Sequence, residues 1–150
     1  MRVFFYFLFF ILLSSNAIAN ERYNELFLKY GYKYNIPTSL LWAIAKHESN
    51  FNKNTINKND NGTIDIGIMQ INSIHKKSIE DLNLTLEDLY NPEINIKFGA
   101  KILSQCIKKF GYNKKALNCY NGKIENNNYA TKVLSNIKDY NYNLRNMIVK

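Results

Sequence analysis

The stretch that most constrains the fold is residues 40–48, which read LLWAIAKHE. A segment that is apolar on nearly every side of a helix has to be surrounded by other elements, so this stretch predicts a buried central helix. Pro37 suits a first helical turn and places the start of the helix near Ile36. Glu48 follows Ile44 by four residues, so a helix brings its carboxyl to the same face as apolar side chains. A carboxyl in that position needs a partner or a function.

Apolar spacing elsewhere also predicts helices, and the expected class is a mainly α single domain. Gly111 is expected to end the longest helix. No segment shows convincing strand alternation apart from a short hairpin around Asn61-Gly62. The predicted helices besides the central one are Arg22–Tyr34, part of Ile74–Asn83, Asn91–Phe110, Lys114–Tyr120 and Tyr129–Asp139.

The N-terminal residues are typical of a secretory signal peptide. Met1-Arg2-Val3 is followed by an apolar run from Phe4 to Leu13 and by the small-residue site Ala17-Ile18-Ala19. The run is shorter than the ~20 apolar residues that a membrane-spanning helix needs. We expect cleavage after Ala19, a mature domain of residues 20–150 and export to the periplasm. An uncleaved N-terminal anchor is the alternative.

The formal net charge of the chain is +8. Such an excess suits an anionic partner, which could be nucleic acid, a membrane surface or a cell-wall polymer. Export makes nucleic acid the least expected of the three. The lysines are scattered through the chain, so a generally solvated basic surface explains the charge equally well.

Two cysteines, Cys106 and Cys119, lie on either side of the turn that follows Phe110. Two antiparallel helices joined at that turn would bring them close enough to form a disulfide, which export would preserve. Two buried free thiols are the alternative. Their spacing fits neither a zinc site nor a CxxC redox pair, and His75 has no partner at metal-ligand spacing. We therefore expect no metal and no cofactor.

Burial of Glu48 would raise its pKa and keep the carboxyl protonated near neutral pH. A protonated carboxyl is the group that glycoside cleavage uses on the leaving oxygen. The alternative is a buried Glu that caps or pairs with a neighbouring group. Among nearby carboxylates, Asp60 is expected to be solvated and Asp65 to cap a local turn. His47 points about 100° away from Glu48 on a helix and is interpreted as a non-catalytic neighbour.

Five segments, in order, resemble the conserved blocks of the soluble lytic transglycosylases. Ile36–Asn50 is similar to the catalytic helix of that family, and Glu48-Ser49 matches its Glu-Ser pair. The resemblance runs from about residue 36 to residue 137, and it is greatest to compact single-domain members that accompany secretion, conjugation or pilus machines. The other four blocks are Asp65–Asn72, with Ile68 in the usual Leu place; Leu89–Gly99; Cys119–Gly122, with Cys119 replacing an Ala; and Tyr129–Val133.

The resemblance implies a goose-type lysozyme-like fold and a monomer that acts on peptidoglycan glycan strands. Glu48 would cleave the bond between N-acetylmuramic acid and N-acetylglucosamine without water, acting first as acid and then as base, and leave 1,6-anhydro ends. The implied role is local opening of the wall for an envelope apparatus. A hydrolytic lysozyme on the same fold and a non-catalytic wall-binding assembly factor are the alternatives. The substrate-binding residues implied are Ser49, Met69, Gln70, Tyr120, Asn121 and Tyr129.

Overall fold

The computed structural model describes residues 23–148, so the expected signal peptide and its cleavage site lie outside the described residues. None of the helices within the described range is long and apolar enough to cross a membrane. The predicted mainly α class is confirmed. The elements in chain order are α1 (residues 23–34), α2 (Thr38–Ser49), β1 (Ile56–Lys58), β2 (Ile64–Ile66), β3 (Ile71–Asn72), a 3-10 turn (Ser73–His75), α3 (Lys76–Glu80), a second 3-10 turn (Glu87–Tyr90), α4 (Pro92–Phe110), α5 (Lys114–Tyr120) and α6 (Tyr129–Ile148).

Helix α2 is the central helix that its apolar sequence predicts. All residues from Leu40 to Ala45 are buried, and α6 packs along the helix. The Trp42 ring lies between two aromatic rings, with centroid distances of 5.0 Å to Phe51 and 5.5 Å to Tyr140. Aromatic contacts at such distances favour tilted or edge-on packing, as seen here, and they fix the helix between the turn that follows it and α6.

The end of α2 sets the direction of the chain into the sheet. Asn50 and Phe51 both adopt positive φ angles, of 50° and 66°. Their backbone N–H groups donate to the carbonyls of Lys46 and Ala45, at 3.1 and 3.4 Å, which satisfies the last turn of the helix. Glu48 is thereby held in the final turn of α2, next to the strands that follow.

The three strands form an antiparallel sheet in the order β1-β2-β3. The predicted hairpin is confirmed, since β1 and β2 pair across the turn that contains Asn61-Gly62. β3 was not expected, because a strand of two residues is too short to show alternation. The register places Asn57 opposite Asp65 and Asp65 opposite Asn72, so three polar residues form one row across the sheet.

Asn95 on α4 holds the segment that joins β2 to β3. Its side-chain oxygen accepts a hydrogen bond from the Met69 N–H at 2.8 Å, and its amide nitrogen donates to the carbonyls of Ile66 and Leu89, both at 2.8 Å. Gly67 passes directly over this amide with φ of 81°, and an added Cβ would lie 2.3 Å from the Asn95 nitrogen. Only glycine fits there, because both the backbone angle and the space exclude a side chain.

Most helix boundaries agree with the sequence pattern, and the exceptions are the C-terminal helix and the segment within residues 74–83. α4 begins at Pro92 and ends at Phe110, with Gly111 following it at φ of 79°. α6 continues to Ile148 instead of stopping near Asp139. Apolar residues no longer recur at helical spacing after Ile137, but no Gly or Pro follows to end the helix. The change in spacing therefore marks where α6 becomes more exposed to solvent, and not where it ends. The expected helix within residues 74–83 is a 3-10 turn followed by the short α3.

Candidate active site

A cleft of about 980 Å³ lies between the sheet on one side and α4 and α5 on the other. Glu48 lines it from the end of α2. Many of its walls are amide and hydroxyl side chains, which suit the hydroxyl and acetamido groups of a sugar. The polar neutral residues among them include Asn57, Asn59, Thr63, Gln70, Asn72 and Gln105.

The Glu48 carboxyl is only partly exposed, and its partner is a tyrosine. Its Oε1 atom accepts a hydrogen bond from the Tyr129 hydroxyl at 2.6 Å. Burial raises the pKa of Glu48 from 4.5 to about 7, the hydrogen bond from Tyr129 opposes this, and the negative charge of Asp65 adds to it. None of the ion pairs among the described residues involves Glu48. A carboxyl of this kind exchanges its proton near neutral pH, as a general acid must.

Tyr129 and Tyr120 lie beside Glu48, and of the two Tyr120 lines the cleft while Tyr129 is buried. Their rings stack with centroids 6.5 Å apart, and the Tyr120 hydroxyl donates to the Met69 carbonyl at 2.7 Å. Burial, reinforced by the charge of Glu48, raises the pKa of both hydroxyls well above 10. Both tyrosines therefore stay neutral and remain hydrogen-bond donors. Asn118 fixes the start of α6, because its side-chain oxygen accepts from the Ala130 N–H at 3.2 Å.

Asp65 faces the cleft from the polar row of the sheet and does not cap a turn, so that interpretation is wrong. Its two oxygens accept hydrogen bonds from the amides of Asn59 at 2.9 Å and Asn72 at 2.7 Å. The Gly67 N–H, which a turn cap would satisfy, donates instead to the Thr55 carbonyl at 2.8 Å. Asp65 is close enough to Glu48 to influence its pKa. Asp60 is exposed at the edge of the same cleft, as expected.

Gln70 lies in the cleft wall, but its amide is bound by the protein. Its oxygen accepts from the Asn57 amide at 2.6 Å, and its nitrogen donates to the carbonyls of Thr55 and Gly67 at 3.1 and 2.8 Å. These bonds hold the turn after β2, where Gln70 itself has φ of 48°. Gln70 thus shapes the wall, and its amide is not free for a ligand in this arrangement.

Three of the expected substrate-binding residues do not line the cleft, namely Ser49, Met69 and the buried Tyr129. Ser49 donates to the Ile68 carbonyl at 2.8 Å, so it does not bond Glu48. Met69 is fully buried and covers Gly99, where an added Cβ would lie 2.6 Å from the methionine sulfur. Ser49 and Met69 join α2 and α4 to the turn that carries Gln70. Asn121 is exposed and lines the cleft beside Tyr120, as expected.

Cys106 and Cys119 form the disulfide that their positions suggest, with Cα atoms 5.8 Å apart, so the free-thiol alternative is wrong. The bond joins α4 to α5, and both cysteines line the cleft. It fixes α5, the helix that carries Tyr120, to α4 on the same side of the cleft. The His47 ring packs edge-on against the Tyr129 ring, with centroids 5.2 Å apart, and burial lowers the pKa of His47. Within the described part of the chain, no cluster of His, Cys, Asp or Glu could hold a metal ion.

The sequence pattern gave no individual role to the amide residues of the sheet or to Asn95, although Asn72 and Asn95 lie in segments that resemble family blocks. Asn57, Asn59 and Asn72 belong to strands or turns too short for periodicity to reveal which side they face. Asn95 did have a signal, because it is a polar residue beside Ile96 on the core side of α4. A buried polar side chain needs partners, so that position alone indicates a structural hydrogen-bonding role.

Comparison with known proteins decides the family. The family model of the transglycosylase SLT domain matches residues 25–144 of this chain. This chain belongs to the transglycosylase SLT domain family. The predicted resemblance is therefore confirmed, and the SLT domain match contains the whole cleft described above.

Relatives of this SLT domain protein include proteins named for invasion. Protein IpgF of Shigella flexneri is 43% identical over 94 residues, which is 62% of this chain and 62% of IpgF. The match therefore spans less than two thirds of that relative. Invasion protein IagB of Salmonella typhimurium (strain SL1344) is 35% identical over 114 residues, which is 75% of this chain and 71% of IagB.

Solved structures confirm the lysozyme-like fold of the SLT domain. An inactive variant of lytic transglycosylase Slt from Pseudomonas aeruginosa superposes with a TM-score of 0.66 at 20% identity, covering 81% of this chain and 24% of that one. The 70-kDa soluble lytic transglycosylase in complex with bulgecin A gives a TM-score of 0.57 at 28% identity, covering 77% and 19%. Because the Pseudomonas aeruginosa enzyme is only 20% identical to this chain, its likeness supports the fold alone.

Proposed function

We propose that this protein is a peptidoglycan lytic transglycosylase and that Glu48 is its single catalytic acid and base. The observation that carries the proposal is the Glu48 carboxyl, which lines a cleft of sugar-compatible side chains, has a pKa of about 7 and forms no ion pair with any residue that the structure describes. Membership of the SLT family and likeness to proteins described as lytic transglycosylases support the same chemistry.

The geometry suits a two-step reaction on the bond between N-acetylmuramic acid and N-acetylglucosamine. Glu48 first donates its proton to the glycosidic oxygen, and the bond from that oxygen to C1 of the muramyl sugar breaks. The resulting carboxylate is stabilised by the hydrogen bond from Tyr129, which favours the charged form. It then takes the proton of the muramyl C6 hydroxyl, whose oxygen attacks C1 and closes a 1,6-anhydro ring. Glu48 ends the cycle protonated.

The biological role that we propose is local opening of the wall during assembly of an envelope apparatus, after export to the periplasm and removal of residues 1–19. The name of IagB, an invasion protein, and the signal-peptide pattern of the N-terminus support this role. We propose that the protein acts as a monomer on glycan strands and uses no metal, cofactor or nucleic acid.

Asp65 favours one second candidate, a hydrolytic lysozyme. Hydrolysis generally requires a second carboxylate that activates water or forms a covalent intermediate. Asp65 lines the same cleft and influences the pKa of Glu48. Its two hydrogen bonds from Asn59 and Asn72 hold it in a fixed orientation. The transglycosylase remains our choice because the family and the bulgecin-bound structure that matches this chain are described by that activity.

Mass spectrometry of digested peptidoglycan separates the two reactions. We expect products that end in 1,6-anhydro-muramic acid from the wild type and from Asp65→Asn, with the variant no more than modestly slower. Products heavier by one water, and lost in Asp65→Asn, would instead establish a lysozyme. Glu48→Gln is the control, since neither product should form without the catalytic acid.

The pH dependence of kcat/KM should follow the protonation of Glu48. Since the acid form starts the reaction, the rate should fall as pH rises through about 7. Tyr129→Phe removes an interaction that lowers the pKa of Glu48, so its alkaline limb should move to higher pH. Asp65→Asn removes a charge that raises this pKa, so its limb should move to lower pH. A pH–rate profile of the three proteins would contradict the assignment if neither variant moved the limb.

A further inference from the structure

The cleft has a second polar feature, at the far end of the α4 wall. Ile102, Gln105, Cys106 and Lys109 line the cleft and follow one another at intervals of three, one and three residues. This spacing places them on one face of the helix. Lys109 belongs to the last turn of α4, beyond the disulfide at Cys106. Its ammonium group therefore extends this wall past the position of the disulfide.

Lys109 is the one cationic side chain at neutral pH among the cleft-lining residues that the structure describes. His75 also lines the cleft, but burial lowers its pKa, so it is neutral at pH 7. The ion pairs of the described residues do not include Lys109, whose ammonium lies 5.2 Å from the centroid of the Phe110 ring. Because Lys109 is exposed and forms no ion pair with the described residues, its charge is available to an anionic ligand.

The opposite wall has the opposite charge. Asp60 and Asp65 lie on the sheet side of the cleft, across from α4. An anionic group on the substrate is repelled by that side and attracted to the α4 side, so the charge distribution fixes which way such a substrate faces. The glycan of peptidoglycan is itself neutral. Its anionic groups are the carboxylates of the peptides that are attached to the muramyl sugars.

We propose that Lys109 forms a subsite for a carboxylate of the peptide stem, so that the enzyme distinguishes peptide-bearing glycan from glycan whose stems carry no negative charge. The subsite rests on the proposed function, and it adds a preference within that substrate class. Because Lys109 is exposed, its pairing with a carboxylate should be of the modest strength measured for exposed ion pairs.

Two soluble substrates test the subsite. One is uncross-linked peptidoglycan strands, and the other is the same strands after their carboxylates are converted to methylamides. At physiological salt, Lys109→Gln should lower kcat/KM on the native strands about two- to fivefold, mainly through KM, and should match the wild type on the amidated strands. On native strands, Lys109→Arg should retain the wild-type kcat/KM, and Lys109→Glu should lower kcat/KM more than Lys109→Gln does.

Lys108→Gln is the matched control, because Lys108 is exposed on the same helical turn but does not line the cleft. It removes the same charge and should leave both rates unchanged. The subsite is wrong if the kcat/KM of Lys109→Gln equals that of the wild type on native strands, or if its kcat/KM falls by the same factor on both substrates. It is also wrong if Lys108→Gln lowers kcat/KM on native strands as much as Lys109→Gln does. A wild-type protein inactive on both substrates would instead overturn the proposed function, and the subsite with it.

Discussion

Replacing Glu48 with glutamine should lower kcat/KM on peptidoglycan by about a thousandfold or more, near the upper part of the range for loss of a general acid. Glutamine has nearly the same shape, and its side-chain oxygen can still accept the hydrogen bond from Tyr129. It cannot give a proton to the glycosidic oxygen or take one from the C6 hydroxyl, so both proposed steps fail. Release of soluble fragments from purified sacculi measures the effect.

The stability of Glu48→Gln can be predicted as well as its activity, because the raised pKa of Glu48 makes the stability of the wild type depend on pH. The raised pKa means that the folded protein keeps a proton that an unfolded glutamate loses between pH 4.5 and about 7. The contribution of Glu48 to stability therefore falls as pH rises through that window, by about 3 kcal/mol in total. Glu48→Gln should then be more stable than the wild type above pH 7. Glu25→Gln, at an exposed position of α1, should change neither stability nor activity. Activity of Glu48→Gln within about tenfold of the wild type would contradict the assignment.

Replacing Asn95 with leucine should lower the free energy of unfolding by about 4 kcal/mol or more. Leucine is similar in size, but it removes the three hydrogen bonds by which the side chain holds the Met69 N–H and the carbonyls of Ile66 and Leu89. Asn95 is fully buried, so these backbone groups lose their partner away from water. Each buried polar group left unpaired costs about 1–3 kcal/mol.

Urea denaturation of the disulfide-intact protein measures this loss. Asn141→Leu is the control, because Asn141 is an exposed residue of α6 and the same substitution there should change stability by less than about 0.5 kcal/mol. The Asn95 variant should also lose activity at temperatures where it is still folded, since Gln70 and the Tyr120 hydroxyl both depend on the turn that Asn95 holds. A loss of less than about 1 kcal/mol in the free energy of unfolding would show that the hydrogen bonds of Asn95 are not what holds this turn.

The helices and the position of Glu48 could be predicted because they depend on local spacing. The apolar run of α2, the proline at the start of α4 and Gly111 at its end each act within a few residues. The same spacing placed the Glu48 carboxyl on a buried face, from which its raised pKa follows. The disulfide followed from the symmetry of two cysteines about one turn.

The roles of Ser49, Met69 and Gln70 could not be predicted in the same way. Each is polar or flexible enough to contact a ligand, but each is held by groups elsewhere in the chain: Ser49 by the Ile68 carbonyl, Met69 by the close approach of Gly99, and Gln70 by the Asn57 amide. Such contacts depend on how the sheet meets α2 and α4. Asp65 was misjudged for the same reason, because its partners are Asn59 in the hairpin loop and Asn72 on β3, which the fold of the sheet brings to it.

The whole account depends on a carboxyl at the end of α2 that still holds its proton at neutral pH. Carboxyl-carbon NMR of protein labelled at glutamate, assigned by the loss of one signal in Glu48→Gln, titrates this group directly. We expect a midpoint at about pH 7 for Glu48. A midpoint near the ordinary glutamate value of 4.5 would mean that the group is charged when substrate arrives, and the proposed acid catalysis would then be wrong.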